Sequence, residues 1–188
     1  MSERILVGTS VHRCKEYSFQ RWIDRVKELT YPGLDVLAVD NSEDTYMVDK
    51  YGAQVPMVYL PGLDQGPQAA HHRITRSMAT IQKTFLAGHY DRWFNLECDV
   101  IPPVGIIEQM LDWGRDSDWI AFSYPNRDSP TDCQQGIGCA LLSRRLVEAF
   151  DYREADSPDA WLWEKVRKSN RFRTAEFWQY ADIKHLAS

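Results

Sequence analysis

The sequence is short of the features that mark several protein classes. Its four cysteines (Cys14, Cys98, Cys133 and Cys139) show no CxxC spacing, so zinc and redox motifs find no support. Reduced thiols in a cytoplasmic protein are the expectation. Nine Pro and ten Gly are too few for a fibrous or disordered chain. The longest uncharged run, Tyr51 to Leu63, is broken by Pro56 and Pro61, and it falls short of the roughly 20 apolar residues that a membrane span needs. The opening MSERILVG has no apolar leader and runs straight into strand-like sequence, so no signal peptide is expected. A net charge of -5 argues against broad, sequence-blind nucleic-acid binding.

What is present is globular. The 188 residues, 44% of them hydrophobic and 26% charged, match the prior of about 150 residues for one domain. A domain of this size buries roughly 70% of the surface that its unfolded chain exposes, so it needs no disulfide scaffold. A single domain over residues 1–188 is expected, with no internal repeat and no linker.

The elements follow from pattern and punctuation. Ile5 to Val11 is short and β-branched, as in a buried strand. Ser18 can cap a helix carrying Trp22, Ile23, Val26 and Leu29 on one face, stopped by Tyr31-Pro32-Gly33. Leu34 to Val39 is a second strand ending in Asp40-Asn41-Ser42, and a short helix over Thr45 to Tyr51 follows. Val55 to Leu60 reads as a third strand, with Pro56 either a mark against it or a sign of its edge. A long helix from Gln68 to Ala87 carries Ile74, Met78, Ile81 and Phe85 as a core-facing stripe. Trp93 to Leu96 is a fourth strand ending in Glu97-Cys98-Asp99, followed by a helix near Val104 to Trp113. Trp119 to Phe122 and Cys139 to Leu142 are further strands, the latter followed by a helix from Arg144 to Phe150. A helix over Asp159 to Lys168 and a short strand over Arg173 to Phe177 close the series. Alternation of this kind predicts an α/β fold with a mostly parallel, Rossmann-like sheet flanked by helices.

In such a sheet, ligands bind beyond the carboxyl ends of the strands. Those ends carry Thr9, Ser10 and His12, then Asp40, Asn41 and Ser42, then Glu97, Cys98 and Asp99. Glu97 and Asp99 are spaced i, i+2, which in extended chain puts both on one side with Cys98 opposite. Two hard oxygen ligands suit Mg²⁺ or Mn²⁺ against phosphate oxygens. The plain alternative is a solvated pair of acids in a turn.

VLAVDNSED (36–44) and FNLECDVIPP (94–103) resemble the two ends of the nucleotide-binding half of a GT-A glycosyltransferase, most closely family 2. The resemblance implies a GT-A fold, with about residues 1–100 binding a nucleotide diphosphate sugar and about 101–188 serving the acceptor. It implies that Asp40 holds the base or ribose, with Thr9 and Val11 against the base. Glu97-Cys98-Asp99 stands as an ExD variant of the metal-binding DxD motif. QGIGCALLSRRLVEAF (135–150) is similar to the family's glycine-containing acceptor-side segment, and SPDAWLWEKVRKSNRFR (157–173) to its ED segment. There Asp159 matches the catalytic base of inverting members, with Asp156 as fallback and Pro158 where the family has its first acid. His185 matches a late histidine that adds a metal ligand.

Each residue also has a plainer reading. Asp40-Asn41-Ser42 can be an Asx turn, and Asp159 a helix N-terminal acid favoured by the dipole. Cys98, placed at the nucleotide site by the motif, can be a packing residue, and His185 a tail residue. Arg73 and Arg76, one helical turn apart, can meet a diphosphate or face solvent, and His71 and His72 are equally open. Trp161, Trp163 and Trp178 can stack on a sugar or fill a core. Lys165, Arg167, Lys168, Arg171 and Arg173 read as a solvated face, or as the seat of an anionic acceptor.

The expected activity is a metal-dependent transfer from a nucleotide sugar, UDP-sugars first, to an acceptor hydroxyl with inversion. The acceptor is left open among saccharide, lipid-linked and protein hydroxyls, with nucleic acid disfavoured. Two alternatives are a non-catalytic binding scaffold of the same fold and a sugar-phosphate nucleotidyltransferase. The single glycine of GTSVHRCKEYS (8–18) disfavours the latter.

Overall fold

A computed structural model describes residues 2–62, 66, 68–125, 133–134, 137–155, 158–177 and 182–186, the side chains of 133, 134, 154, 158 and 159 excepted. Along the chain come β1 (Ile5–Val11), α1 (Glu16–Glu28), β2 (Leu34–Asp40), α2 (Tyr46–Tyr51), β3 (Met57–Tyr59) and α3 (Ala69–Ala87). Then follow β4 (Arg92–Leu96), β5 (Val100–Ile101), α4 (Ile106–Gly114), β6 (Trp119–Phe122), β7 (Tyr124–Pro125) and β8 (Cys133–Gln134). The last are β9 (Cys139–Ser143), α5 (Arg144–Ala149), α6 (Pro158–Ser169), β10 (Thr174–Phe177) and β11 (Lys184–His185).

Seven strands form one sheet in the order β10-β6-β9-β4-β1-β2-β3. The pairs β1–β2, β1–β4, β2–β3 and β6–β10 are parallel, while β9 runs antiparallel to both neighbours. The expected α/β architecture and mostly parallel sheet are therefore observed. Strand order runs outward from β1 on one side and from β4 on the other, so the pair β1/β4 is the topological switch point where such sheets bind ligands.

Side-chain alternation builds two cores. Ile5 and Val7 face Phe19, Trp22 and Ile23 of α1 together with Ile106 and Met110 of α4. Leu6 and Val39 face Met78, Ile81 and Phe85 of α3, with Leu146 of α5 and Leu162 and Val166 of α6 joining that side. This period of two is what a sheet covered on both faces requires. Full burial of a side chain such as Phe85 contributes about 1.5–3 kcal/mol. Gly8 lets α3 sit close: a Cβ there would stand 2.6 Å from Ile81 Cγ2.

Three local expectations need correction. Ser18 does not cap α1; it is buried within the helix, its hydroxyl donating to Lys15 O at 2.8 Å. The helix is instead entered through a 3₁₀ turn, Arg13–Lys15, where His12 Nδ1 accepts from Cys14 N at 3.2 Å. Ile74 does not face the core: it is 37% exposed, because the α3 stripe leaves the sheet as the helix starts above the strand ends. The third strand is shorter than expected, with Pro56 outside it at the edge. Two small antiparallel pairs, β5–β11 and β7–β8, are too short to leave a periodic signal.

Candidate active site

Beyond the carboxyl ends of β1 and β4 lies a cleft of about 420 Å³. Thr9, Ser10, His12 and Lys15 line it from the β1 end and Asn41 from the β2 end. Arg73, Ile74 and Met78 of α3 form one wall, and Asn95, Glu97, Cys98, Asp99, Ile137 and His185 the other.

The acidic end is built by backbone pairing. His185 pairs with Val100 across β5 and β11, and Leu186 N donates to Asp99 O at 2.8 Å. His185 is therefore strand-bound and not a loose tail residue, with 4% of its side chain exposed. Its Nδ1 stands 3.2 Å from Pro125 O. A carbonyl oxygen only accepts, so Nδ1 donates to Pro125 O, while Nε2 faces Asp99, 3.4 Å from Oδ2. Ligand atoms of Glu97, Asp99 and His185 all lie within 4.8 Å of one another.

Two carboxylates and one imidazole at that spacing are a donor set that suits a divalent ion such as Mn²⁺ or Mg²⁺. Space for Glu97 depends on Gly138. A Cβ there would stand 2.0 Å from Tyr124 Oη and 2.7 Å from Glu97 Cδ, and Gly138 O also accepts from Glu97 N at 2.8 Å.

The electrostatics follow from burial and neighbours. Burial works to raise the Asp99 pKa, but hydrogen bonds and charge from His185 and Lys15 hold it well below the usual carboxylate range. Lys15 Nζ donates to Asp99 Oδ2, and Tyr17 Oη donates to the same oxygen at 3.3 Å. Burial pushes the Cys98 thiol up, so it is no nucleophile; it packs in the α1/α4 core with its edge at the cleft.

At the other end, Asn41 Nδ2 donates to Ser10 Oγ at 2.9 Å and to Ser77 Oγ at 3.0 Å, leaving its Oδ1 buried without a partner. Arg73 Nη1 lies 3.8 Å from Glu43 Oε1, which also meets His12 Nε2 at 3.2 Å. Gly62 permits this corner, since a Cβ there would stand 2.1 Å from Asn41 O and 2.9 Å from Arg73 Cδ.

The structure thus brings Thr9, Asn41, Arg73, Glu97, Cys98, Asp99 and His185 to one cleft. Val11 and Asp40 lie beneath it, both fully buried. Asp40 Oδ1 accepts from Ser42 N at 3.0 Å and from Ser42 Oγ at 2.6 Å, while Oδ2 is buried without a partner. Arg76 points away, its Nη1 donating to Pro61 O at 3.3 Å, and His71 and His72 are exposed near the start of α3. Asp159 is the second residue of α6, but its side chain, like Asp156 and Trp178, lies outside the described residues. Trp161 and Trp163 pack against the α3-side core. The basic residues of α6 and its exit are surface groups: Arg167 covers Trp163, and Arg171 covers Phe172.

Lys15, Glu43 and Tyr124 escape the sequence reading. Lys15 sits in the loop after the first strand, where a cation among polar residues was the one available signal. Nothing in the sequence ties Glu43 to Arg73 or Tyr124 to Glu97.

No protein-family model matches the sequence, and no curated protein matches it. Solved structures do. The mannosyltransferase PcManGT from Pyrobaculum calidifontis, in complex with GDP-Man and Mn²⁺, superposes with TM-score 0.63 at 13% identity, over 95% of this chain and 57% of that one. S. aureus TarS gives 0.68 at 12% identity, over 98% of this chain and 37% of that one. Glucosyl-3-phosphoglycerate synthase from Mycobacterium tuberculosis, with Mn²⁺, UDP and glucosyl-3-phosphoglycerate, gives 0.61 at 12% identity, over 99% and 73%. The chain spans 57% of the first of these proteins and 37% of the second. Among the described residues no helix is long and apolar enough to cross a membrane. The fold is that of the GT-A nucleotide-sugar glycosyltransferases.

Proposed function

We propose that the chain transfers a sugar from a nucleotide diphosphate sugar to an acceptor hydroxyl, with UDP-sugars the first choice of donor. One observation carries this reading: a switch-point cleft with a carboxylate, carboxylate and imidazole cluster at one end and Arg73 at the other. UDP and GDP-Man bound with Mn²⁺ in proteins of the same fold support the donor class. The free thiols of Cys14, Cys98 and Cys139 suit a cytoplasmic setting.

In this reading Glu97, Asp99 and His185 hold Mn²⁺ or Mg²⁺. Bound there, such an ion would supply Lewis-acid chemistry, offsetting charge on the departing diphosphate. Arg73 contributes a fixed guanidinium suited to bidentate phosphate contact. Thr9, Asn41 and Asp40 line and underlie the part assigned to the nucleoside, Asn41 offering its unpartnered Oδ1 as an acceptor. Asp159 takes the proton from the acceptor hydroxyl. The acceptor oxygen then bonds to the anomeric carbon from the face opposite the breaking bond to the diphosphate, which gives inversion.

The test is a panel of UDP- and GDP-sugars with Mn²⁺ and simple sugar or polyol acceptors, followed by NMR for nucleoside diphosphate and glycoside. Transfer by the wild type, lost in Asp159→Asn with nucleotide binding intact, supports the reading. Nucleotide binding without turnover across the panel contradicts it and leaves a binding scaffold of this fold.

A further inference from the structure

Lys15 ends the 3₁₀ turn between β1 and α1 and reaches across the cleft to Asp99, 84 residues further along the chain. The Asp99 side chain is 1% exposed and that of Lys15 25%, so a partly exposed ammonium reaches a buried carboxylate. Oδ2 accepts from both Lys15 Nζ and Tyr17 Oη, and it is also the oxygen that His185 Nε2 faces. The ammonium therefore shares its carboxylate oxygen with the cluster of Glu97, Asp99 and His185 that would hold a divalent ion. Two cations on one carboxylate oxygen in a partly buried site repel strongly. One of them has to leave.

We propose that Lys15 is an exchangeable counter-cation: it neutralises Asp99 while the metal position is empty and moves to the diphosphate when ion and nucleotide enter together. This rests on the metal site of the proposed function. The side chain suits the exchange, being a compact charge on a flexible four-carbon stem that binds phosphate as a point charge. Lys15 already lines the cleft in which the donor is placed. The consequence is coupling. Mn²⁺ alone must evict Lys15, and it binds weakly; with a nucleoside diphosphate present the displaced ammonium has a partner, and both bind more tightly. By reciprocity each ligand strengthens the other by the same factor.

The experiment is calorimetric titration of Mn²⁺, then of UDP and GDP at saturating Mn²⁺, into wild type, Lys15→Met and Lys15→Arg, with near-UV circular dichroism to confirm the fold. Lys15→Gln replaces the methionine variant if that one does not fold. Removal of the competing cation should tighten Mn²⁺ binding in the absence of nucleotide by about tenfold and weaken nucleotide binding with Mn²⁺ by a similar factor, so a coupling of the usual 5- to 150-fold shrinks toward unity. Lys15→Arg should keep weak binding of Mn²⁺ alone. Equal or weaker Mn²⁺ binding in the neutral variant, or none in either protein, overturns the exchange. A failed donor reading looks different: neither UDP nor GDP binds, while the neutral variant still holds Mn²⁺ more tightly than wild type.

Discussion

His185 Nε2 stands 3.4 Å from Asp99 Oδ2, and a two-residue strand puts it there. The pairing of Lys184 and His185 with Ile101 and Val100 fixes the imidazole beside the Asp99 carboxylate, and Pro125 O orients the ring through Nδ1. Loss of a hydrogen-bonded partner behind a metal ligand commonly costs about 10- to 100-fold in affinity, and loss of a ligand itself should cost at least as much. His185→Ala is therefore expected to weaken Mn²⁺ binding by that factor or more while the fold is kept. Unchanged affinity by calorimetry would remove His185 from the site.

Gly138→Ala tests how the Glu97 carboxylate is accommodated. The new methyl would fall within 2.0 Å of Tyr124 Oη and 2.7 Å of Glu97 Cδ. Overpacking of this kind costs about 1–3 kcal/mol. Chemical denaturation should show that loss, accompanied by weaker Mn²⁺ binding as Glu97 is pushed aside. Wild-type stability and metal affinity together would mean that the corner relaxes freely.

Two isoleucines of α3 separate core from cleft. Ile81 is fully buried and Ile74 is 37% exposed at the cleft wall. Ile81→Ala should cost about 2–5 kcal/mol. Ile74→Ser should stay within about 0.5 kcal/mol of wild type, yet lower nucleoside diphosphate affinity several-fold. Urea melts and nucleotide titrations check the pair; equal destabilisation would return Ile74 to the core.

Asp40 gives a pH prediction. Burial raises its pKa in the folded state, with the Ser42 hydrogen bonds only partly offsetting that. The folded chain therefore keeps a proton that the unfolded chain releases near pH 4, at about 3.9 for a free Asp. By linkage, its contribution to stability is full below that pH and is lost as pH rises through the folded pKa. Asp40→Asn should remove this loss: the variant should gain on wild type from about pH 4 upward and match it below. Urea melts across pH 3–8 read the difference, and parallel curves for the two proteins would contradict it.

These relationships mark what was legible in the sequence. Periodicity and punctuation recover the main strands and helices because each buries a repeating face, as Ile5, Val7 and Leu6 do on alternate sides of β1. The carboxylate cluster is legible because strand ends place Glu97 and Asp99 by a simple spacing rule. The 3₁₀ entry to α1 was not, since His12 caps through a ring nitrogen where Ser18 is the usual cue. Nor were Lys15 on Asp99 and Gly138 against Glu97, which depend on contacts across the fold. Two-residue strands such as β11 leave no period to read.

The most direct measurement of donor binding at this cleft is thermal unfolding with UDP or GDP, each with Mn²⁺ or with EDTA, in wild type and Asp99→Asn. A nucleotide at 100 times its dissociation constant adds about 2.7 kcal/mol, which for a domain of this size is roughly a 5–10 °C rise in midpoint. A metal-dependent donor site predicts that rise for one nucleotide in wild type with Mn²⁺ and its loss in EDTA and in Asp99→Asn. No rise with either nucleotide, or a rise indifferent to EDTA and to Asp99, would contradict a metal-dependent donor site at this cleft.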